Sequence, residues 1–337
     1  MAFEDDGAFD YIGRSNVNNG VQGRINKLEY EPNAKETFSL VQVGESVCLY
    51  RNNAWYASQN IFVLTPLNKR FSKAHQFVSA VISKFLWQYQ DAYIYPTLNE
   101  VECLKLQFPI KNEEIDFDFM ESFIAELEAE RVAELSAYLT VSGLDNYELS
   151  EEELRVLRDY DNGDIQLKEF KFSNIFNKIV QGRRLKKDDQ LPGKIPFVMS
   201  GVTNNGVVGY ISNPVASFRK NAITVDIFGN SFYRNYNFGA GDDTGVYWND
   251  KVEYSKLTML YFTAAIQRAL LGKFSYGKKL RSSQSYNFMM KLPFKNDKPD
   301  FDTMNILISA IQKLVIKDVV KYSDDKINAT KKIVQNH

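Results

Sequence analysis

Three stretches carry residue types that could do chemistry. Asp159-Tyr160-Asp161-Asn162-Gly163-Asp164-Ile165, with Glu169 following, supplies the oxygen ligands of a calcium loop. Its glycine, isoleucine and glutamate each fall one position early, which spoils convergence on one ion, so an acidic linker is the better account. Asp164 with Glu169-Phe170-Lys171 has the residue types of a metal-dependent nuclease, yet Phe170 to Phe172 reads as a core strand. Gly272 to Lys279 approaches a phosphate-binding loop. Lys279 stands where a hydroxyl must meet magnesium, however, and the segment follows a helix instead of a strand. A basic loop is the simpler reading.

Other chemistry is missing. Asn213-Pro214-Val215 lacks the Pro-Pro-aromatic step that holds a flipped base in amino-methyltransferases, and no cofactor glycine motif accompanies it. Two cysteines, Cys48 and Cys103, and two histidines, His75 and His337, cannot build a zinc cluster or a disulfide framework. A Cys48–Cys103 bridge would be unusual in a reducing compartment. With no signal-like start and no run of eighteen apolar residues, the chain is expected to be cytoplasmic. It is expected to be non-catalytic, with no metal and no cofactor.

The elements that position these residues come in two copies. Asn18-Asn19-Gly20-Val21-Gln22-Gly23-Arg24-Ile25 recurs as Asn204-Asn205-Gly206-Val207-Val208-Gly209-Tyr210-Ile211, 186 residues later. Gly44 and Gly229, like Phe77 and Phe262, lie 185 apart, and Tyr50-Arg51-Asn52 and Tyr233-Arg234-Asn235 lie 183 apart. Pro109 to Met120 matches Pro293 to Met304 at seven of twelve positions. Matches kept in order at nearly one offset mean a duplicated domain, and 337 residues suit two.

Each copy predicts short strands with a few helices. Asn19-Gly20 and Asn205-Gly206 are type I′ hairpin signals, because both central residues need positive φ. Thr37 to Val43 and Ala222 to Phe228 read as alternating strands, and Lys168 to Phe172 and Ile195 to Met199 also read as strands. Lys73 to Leu86 and Ser255 to Leu271 read as helices, and Asn174 to Gln181 as a helical turn ending at Gly182. Each copy then ends in a long helix opened by Asp116 or Asp118, and by Asp300 or Asp302. Met120, Phe123, Ile124, Leu127, Val132, Leu135 and Leu139 stripe the first; Met304, Leu307, Ile308, Ile311, Leu314, Val315 and Val319 stripe the second. Two such stripes predict an antiparallel pair acting as a spacer. A helix from Asp118 to Thr140 rises roughly 35 Å at 1.5 Å per residue, about one turn of duplex DNA.

The net charge of −1 hides a division. Val101 to Asp164 holds 18 Asp/Glu against 5 Lys/Arg, whereas Lys168 to Lys298 holds 21 Lys/Arg against 9 Asp/Glu. An excess of twelve positive charges favours a polyanion, and phosphate neutralisation is the sequence-independent part of nucleic-acid binding. The acidic stretch points instead to a protein partner, or to a solvated face.

Phe172-Ser173-Asn174-Ile175-Phe176, Gly182, Gly193-Lys194-Ile195-Pro196-Phe197-Val198, Asn204-Asn205-Gly206, Ala222-Ile223-Thr224-Val225, Gly229 and Met290-Lys291-Leu292-Pro293 together resemble a target recognition domain. Such domains belong to the specificity subunits of type I restriction-modification enzymes and their type IIB relatives, and the resemblance covers essentially the whole chain. It implies an α+β fold: two pseudo-repeated globular mixed α/β target recognition domains separated by an antiparallel pair of long helices. It implies binding to double-stranded DNA and docking of DNA methyltransferase subunits, with a restriction subunit or fused nuclease where cutting occurs, and no membrane. Short spacer helices lean toward the type IIB style. The boundaries expected are 1–115 for the first recognition domain, 116–145 for the first spacer helix and 146–167 for an acidic linker. The second recognition domain would span 168–299 and the second spacer helix 300–337. One departure stands out: the N-terminus lacks an equivalent of the Phe170 strand and the Ile175 helix, so the first domain is short.

Shared positions should hold the fold or contact phosphate, and differing positions should specify bases. Arg51, Arg234, Arg183 and Arg184 are the phosphate candidates. Base-reading candidates are Arg14, Asn16, Asn53 and Trp55 in the first domain, and Ser200, Tyr236, Asn237, Lys278, Lys279, Arg281 and Gln284 in the second. Arg and Lys suit guanine acceptors, and Asn or Gln suit adenine. Because the copies differ at most of these positions, the target should be bipartite and asymmetric. The rivals are a metal-dependent DNA-cleaving enzyme using Asp164 and Glu169, and a tandem-domain scaffold that binds no DNA.

Overall fold

Thr37–Val41 and Ala222–Asp226 are buried at every position, so neither strand is the half-exposed, alternating kind. A strand covered on both faces must sit between packed layers. The computed structural model supplies them; it describes residues 3–4, 6–43, 47–89 and 95–335. Gly44 and His337 lie outside the described residues. The chain divides into two units, Met1–Ala137 with Ser323–His337, and Tyr138–Tyr322.

Unit 1 runs through β1 (Phe9–Ile12), β2 (Val21–Ile25), β3 (Thr37–Val41), β4 (Cys48–Arg51), β5 (Trp55–Ala57) and β6 (Ile61–Leu64). Then come α1 (Lys69–Lys73), α2 (His75–Leu86), α3 (Leu98–Glu102), β7 (Ile110–Lys111), β8 (Glu114–Ile115) and α4 (Phe117–Val141), whose last residues belong to unit 2. Unit 2 continues with α5 (Glu151–Asp161), β9 (Leu167–Lys171), α6 (Phe172–Ile175), β10 (Lys178–Gln181), β11 (Pro192–Val198), β12 (Val207–Ile211), β13 (Ser217–Phe218) and β14 (Ala222–Asp226). It ends with β15 (Ser231–Arg234), β16 (Phe238–Ala240), β17 (Thr244–Trp248), α7 (Lys256–Leu270), β18 (Met289–Lys295), β19 (Lys298–Pro299) and α8 (Phe301–Gln335), whose last turns belong to unit 1.

The two units repeat one sheet plan. In unit 2 the orders are β10-β17-β14-β15, β12-β11-β16-β13 and β19-β18-β9; in unit 1 they are β4-β3-β6 and β2-β1-β5. Both copies contain an antiparallel hairpin and one parallel pairing, Tyr11 beside Tyr56 and Phe197 beside Gly239. β14 is buried twice over because Ile223 and Val225 join Met259, Phe262, Ile266 and Leu270 of α7 in one core. Ala222 joins Val198, Phe238, Ala240 and Val246 in another.

The Asn-Asn-Gly turn differs in detail from a two-residue hairpin. Asn204, Asn205 and Gly206 all have positive φ, at 47°, 52° and 78°, and Asn18, Asn19 and Gly20 repeat this at 50°, 54° and 76°. Three left-handed residues in a row explain the composition, since Asn tolerates that region and Gly meets no Cβ penalty there. A Cβ on Gly206 would lie 2.7 Å from the Met199 carbonyl oxygen. Two-residue hairpins with paired positive φ occur elsewhere, at Asn112-Glu113 and Asn296-Asp297.

Lys178 to Gln181 is a strand, not the end of a helix; α6 is one turn, Phe172–Ile175. Alternation of Lys178, Ile179, Val180 and Gln181 against β17 overrides the helical reading. The acidic stretch 146–167 contains α5, opened by a Ser150–Glu153 capping box. Since α5 extends to Asp161, the first three residues of the calcium-loop pattern are helix.

Asp116 and Asp300 are the caps of the long helices, accepting from Phe119 N at 2.9 Å and Thr303 N at 3.2 Å. Their apolar stripes are only half covered. Met120, Val132, Leu139, Met304, Leu307 and Val320 are buried, while Phe119, Phe123, Leu127, Leu314 and Val315 are 40% to 75% exposed. Within unit 1 the last turns of α8 meet α4 through Lys326 and Glu128 at 3.3 Å. Among the described residues no helix is long and apolar enough to cross a membrane.

Candidate nucleic-acid interface

The buried Asp226 carboxylate organises one rim of unit 2. It accepts from Phe228 N, Asn230 N, Asn230 Nδ2, Gly201 N and Ser200 Oγ, at 2.8 to 3.2 Å. Ser200 N also donates to Asp243 at 3.0 Å, and Arg183 N to the Ala240 carbonyl at 3.0 Å. Arg281 Nη1 and Gln181 Nε2 both reach the Asp242 carbonyl. Leu280 N donates to the Ile227 carbonyl. These bonds bring the loops carrying Arg183, Ser200, Lys279 and Arg281 to the ends of β11, β14 and β16. Arg183, Arg184, Lys278, Lys279 and Arg281 are exposed. Lys278 and Lys279 lie over the Phe274 and Tyr276 rings, at 6.0 and 4.7 Å from the centroids. Such a rim offers cations and flat π-faces to a polyanion.

Tyr236 and Asn237 lie at a second place. The Tyr236 hydroxyl accepts from Arg234 Nη1 at 3.0 Å, and Asn237 Oδ1 from Lys220 N at 3.0 Å. Lys220 borders a cleft of about 640 Å³ lined by Arg219, Trp248, Asp250 and Lys251, among others. The sequence reading missed Arg219, Lys220 and Trp248. Its signal was the basic pair directly after Phe218, just ahead of β14.

Unit 1 presents Arg14, Asn16 and Asn53, all exposed. By the repeat offset of 186, Arg14 occupies the place of Ser200, two residues past a parallel-paired strand.

Four candidates are corrected. Trp55 is 1% exposed and its Nε1 donates to Thr37 Oγ1 at 2.9 Å, so it fills the core as Phe238 does. Arg51 and Arg234 are buried, bonded to Ser39 and Thr224 respectively and to the Asn-Asn-Gly turns. A guanidinium enclosed in this way cannot touch phosphate. Burial pulls Arg51 down to about 10, and pulls Arg234 below its ordinary value. Gln284 Oε1 accepts from Arg281 N at 2.9 Å, so its carbonyl serves the scaffold.

Asp164 and Glu169 are exposed, Glu169 opposite Lys291 in the β9–β18 ladder. Among the described residues no cluster of three or more His, Cys, Asp or Glu is placed to hold a metal. Cys48 is buried and Cys103 exposed, both as free thiols, and burial pushes Cys48 up to about 12.

The family model described as "Type I restriction modification DNA specificity domain" matches residues 2–137 and 165–322. The specificity subunit S.BcgI of the type II restriction enzyme BgcI from Heyndrickxia coagulans is 29% identical over 220 residues. That match covers 64% of this chain and 60% of the relative. A crystal structure of a type I restriction-modification S subunit from M. genitalium superimposes with a TM-score of 0.60. It does so at 13% identity, over 99% of this chain and 88% of that one, a likeness of fold alone.

Proposed function

Because the chain belongs to the type I restriction modification DNA specificity domain family, we propose that it is the sequence-specific DNA-recognition subunit of a restriction-modification complex. Residues 1–115 read one half of an asymmetric bipartite target and residues 168–299 the other. One observation carries this reading: the two copies share their interior bonds and differ on their rims. Arg51–Asn19 repeats as Arg234–Asn205, whereas Arg14 faces solvent where Ser200 stands. Shared positions therefore build the reader, and unshared ones choose bases.

On this reading Arg183 and Arg184 contact phosphate. Ser200, Lys278, Lys279, Arg281, Tyr236 and Asn237 are the base readers of the second domain; Arg14, Asn16 and Asn53 are those of the first. The helices 116–145 and 300–337 set the unread gap. The half-covered stripes, with Leu127 on the first helix and Leu314 and Val315 on the second, each dock DNA methyltransferase subunits, because exposed apolar area of this kind marks a protein interface. Methylation, and cutting where it occurs, comes from those partners in the cytoplasm; the chain itself catalyses nothing.

Co-expression with the methyltransferase partner followed by methylome sequencing tests this. An asymmetric bipartite motif with a fixed gap is expected. A palindromic motif would count against two independent readers.

A further inference from the structure

The cleft beside Lys220 lies at the opposite end of β14 and β17 from the basic rim. Ala222 opens β14 at the cleft and Asp226 closes it at the rim, while β17 runs back from Thr244, opposite Asp226, to Trp248 at the cleft. The length of β14, Ala222 to Asp226, separates the two places by roughly 14 Å at about 3.4 Å per residue. Bonds from asparagine side chains fix both walls. On one side Asn237 Oδ1 accepts from Lys220 N at 3.0 Å, and Asn221 Nδ2 donates to the Tyr254 carbonyl at 3.0 Å. On the other, Asn249 Oδ1 accepts from Lys251 N at 2.9 Å and Val252 N at 3.0 Å, and its Nδ2 donates to the Ile175 carbonyl at 2.8 Å. The aromatic lining is braced too: Trp248 meets Phe218 edge-on at 6.0 Å, and Phe218 stacks on the buried Phe238 at 5.6 Å. A pre-formed cleft of about 640 Å³ suits one small molecule.

The asparagines are committed to the backbone; the cations are not. Arg219, Lys220 and Lys251 are exposed, and among the described residues none of their side chains makes a hydrogen bond or an ion pair. Lys251 reaches Asp250 only through its electrostatic field. Asp250 is itself held by Asn177 and by Lys178 at 3.4 Å, which leaves Glu253 as the uncommitted carboxylate of the lining. Unit 1 keeps the turn and changes its chemistry. Asn221 and Glu36 share positive φ, at 65° and 59°. By strand register, however, Asn33, Ala34 and Thr65 stand in the places of Phe218, Arg219 and Trp248. The shared fold therefore does not require those aromatics or that arginine.

We propose that this cleft binds a nucleoside phosphate, its base against Phe218 and Trp248, its phosphates on Arg219, Lys220 and Lys251, and Glu253 accepting from a ligand hydroxyl or amine. Any base has a π-face to stack, and a guanidinium beside two ammonium groups matches phosphate oxygens. An inorganic anion would leave the aromatic wall unmatched, and an apolar ligand would leave the cations so. The nucleotide is either free or one residue of a nucleic-acid strand, the same chemistry from two sources. The inference does not rest on DNA reading by the rim, which lies at the other end of the strands.

Calorimetric titration of the full chain with ADP, adenosine and pyrophosphate tests it. ADP should bind with Kd below about 1 mM, and adenosine and pyrophosphate each at least about tenfold more weakly. Arg219→Ala combined with Lys251→Ala should keep the urea midpoint and weaken ADP at least about fivefold. Trp248→Leu should weaken it by a similar factor, about fivefold or more, through lost stacking. No ADP binding at about 1 mM, pyrophosphate binding as tight as ADP, or undiminished binding by the double variant overturns the proposal. Competition then identifies the source: a short oligodeoxyadenylate displacing ADP at lower concentration than AMP assigns the site to a strand, and the reverse order to a free nucleotide. Either order supports the proposal, and displacement by neither overturns it.

Discussion

The Arg234 guanidinium reaches the Asn205 carbonyl oxygen at 2.6 Å, and Arg51 reaches that of Asn19 at 2.8 Å. Each arginine pins a left-handed turn from inside its unit. Arg234→Met keeps most of the packed stem but leaves the Asn205 carbonyl and Thr224 hydroxyl without their donor. Unfolding in urea should show unit 2 weakened by about 2 to 3 kcal/mol. Arg234→Lys should recover only part of this, because an ammonium lacks the planar fork that serves several partners at once. An unchanged Arg234→Met would remove the pin from the scaffold.

Rim arginines should behave in the opposite way. Arg183→Ala should leave the urea midpoint unchanged and weaken duplex binding for every sequence, lowering the salt slope by about 1. Arg281→Ala should relax base preference in one half-site and leave the other intact. Fluorescence anisotropy across a salt series, with targets altered in each half-site, separates the two effects. If Arg281→Ala disturbed both half-sites, the division into two readers would be wrong.

The duplication, the Asn-Asn-Gly turns, the aspartate caps and the helix preceding Gly272 were legible because each is a local pattern. Burial of Trp55, Arg51 and Arg234 was not. Their residue types usually face water or a ligand, and apart from Tyr236 their hydrogen-bonding partners lie 10 to 32 residues away in sequence. Lys178 to Gln181 misled for a related reason: four residues carry too little periodicity to outvote a neighbouring helical turn, and only β17 decides. The cleft at Arg219 and Lys220 likewise forms from two separated stretches, 217–222 and 248–253, so no single stretch announces it.

The spacer reading predicts a change in gap alone. One helical turn added to both α4 and α8 lengthens each by about 5.4 Å, or roughly one to two base pairs at 3.4 Å each. Methylome sequencing of the variant should find the same half-sites farther apart. Altered half-sites would show that the helices also shape the readers.

Acid should loosen unit 2 through Glu153. Burial alone would raise this carboxyl, but Lys313 Nζ at 2.8 Å, Ser150 N at 2.8 Å and Ser309 Oγ at 2.7 Å outweigh it and hold it at about 2. A depressed carboxylate contributes stability that is fully present above its ordinary value of 4.5 and is lost as pH falls through about 2. The contribution is on the order of 3 kcal/mol at most, by the free energy of one pKa unit. Urea midpoints should therefore fall between pH 4.5 and 2.5, and Glu153→Gln should flatten that fall while lowering stability at pH 7. An equally steep fall in the Gln variant would place the acid sensitivity elsewhere.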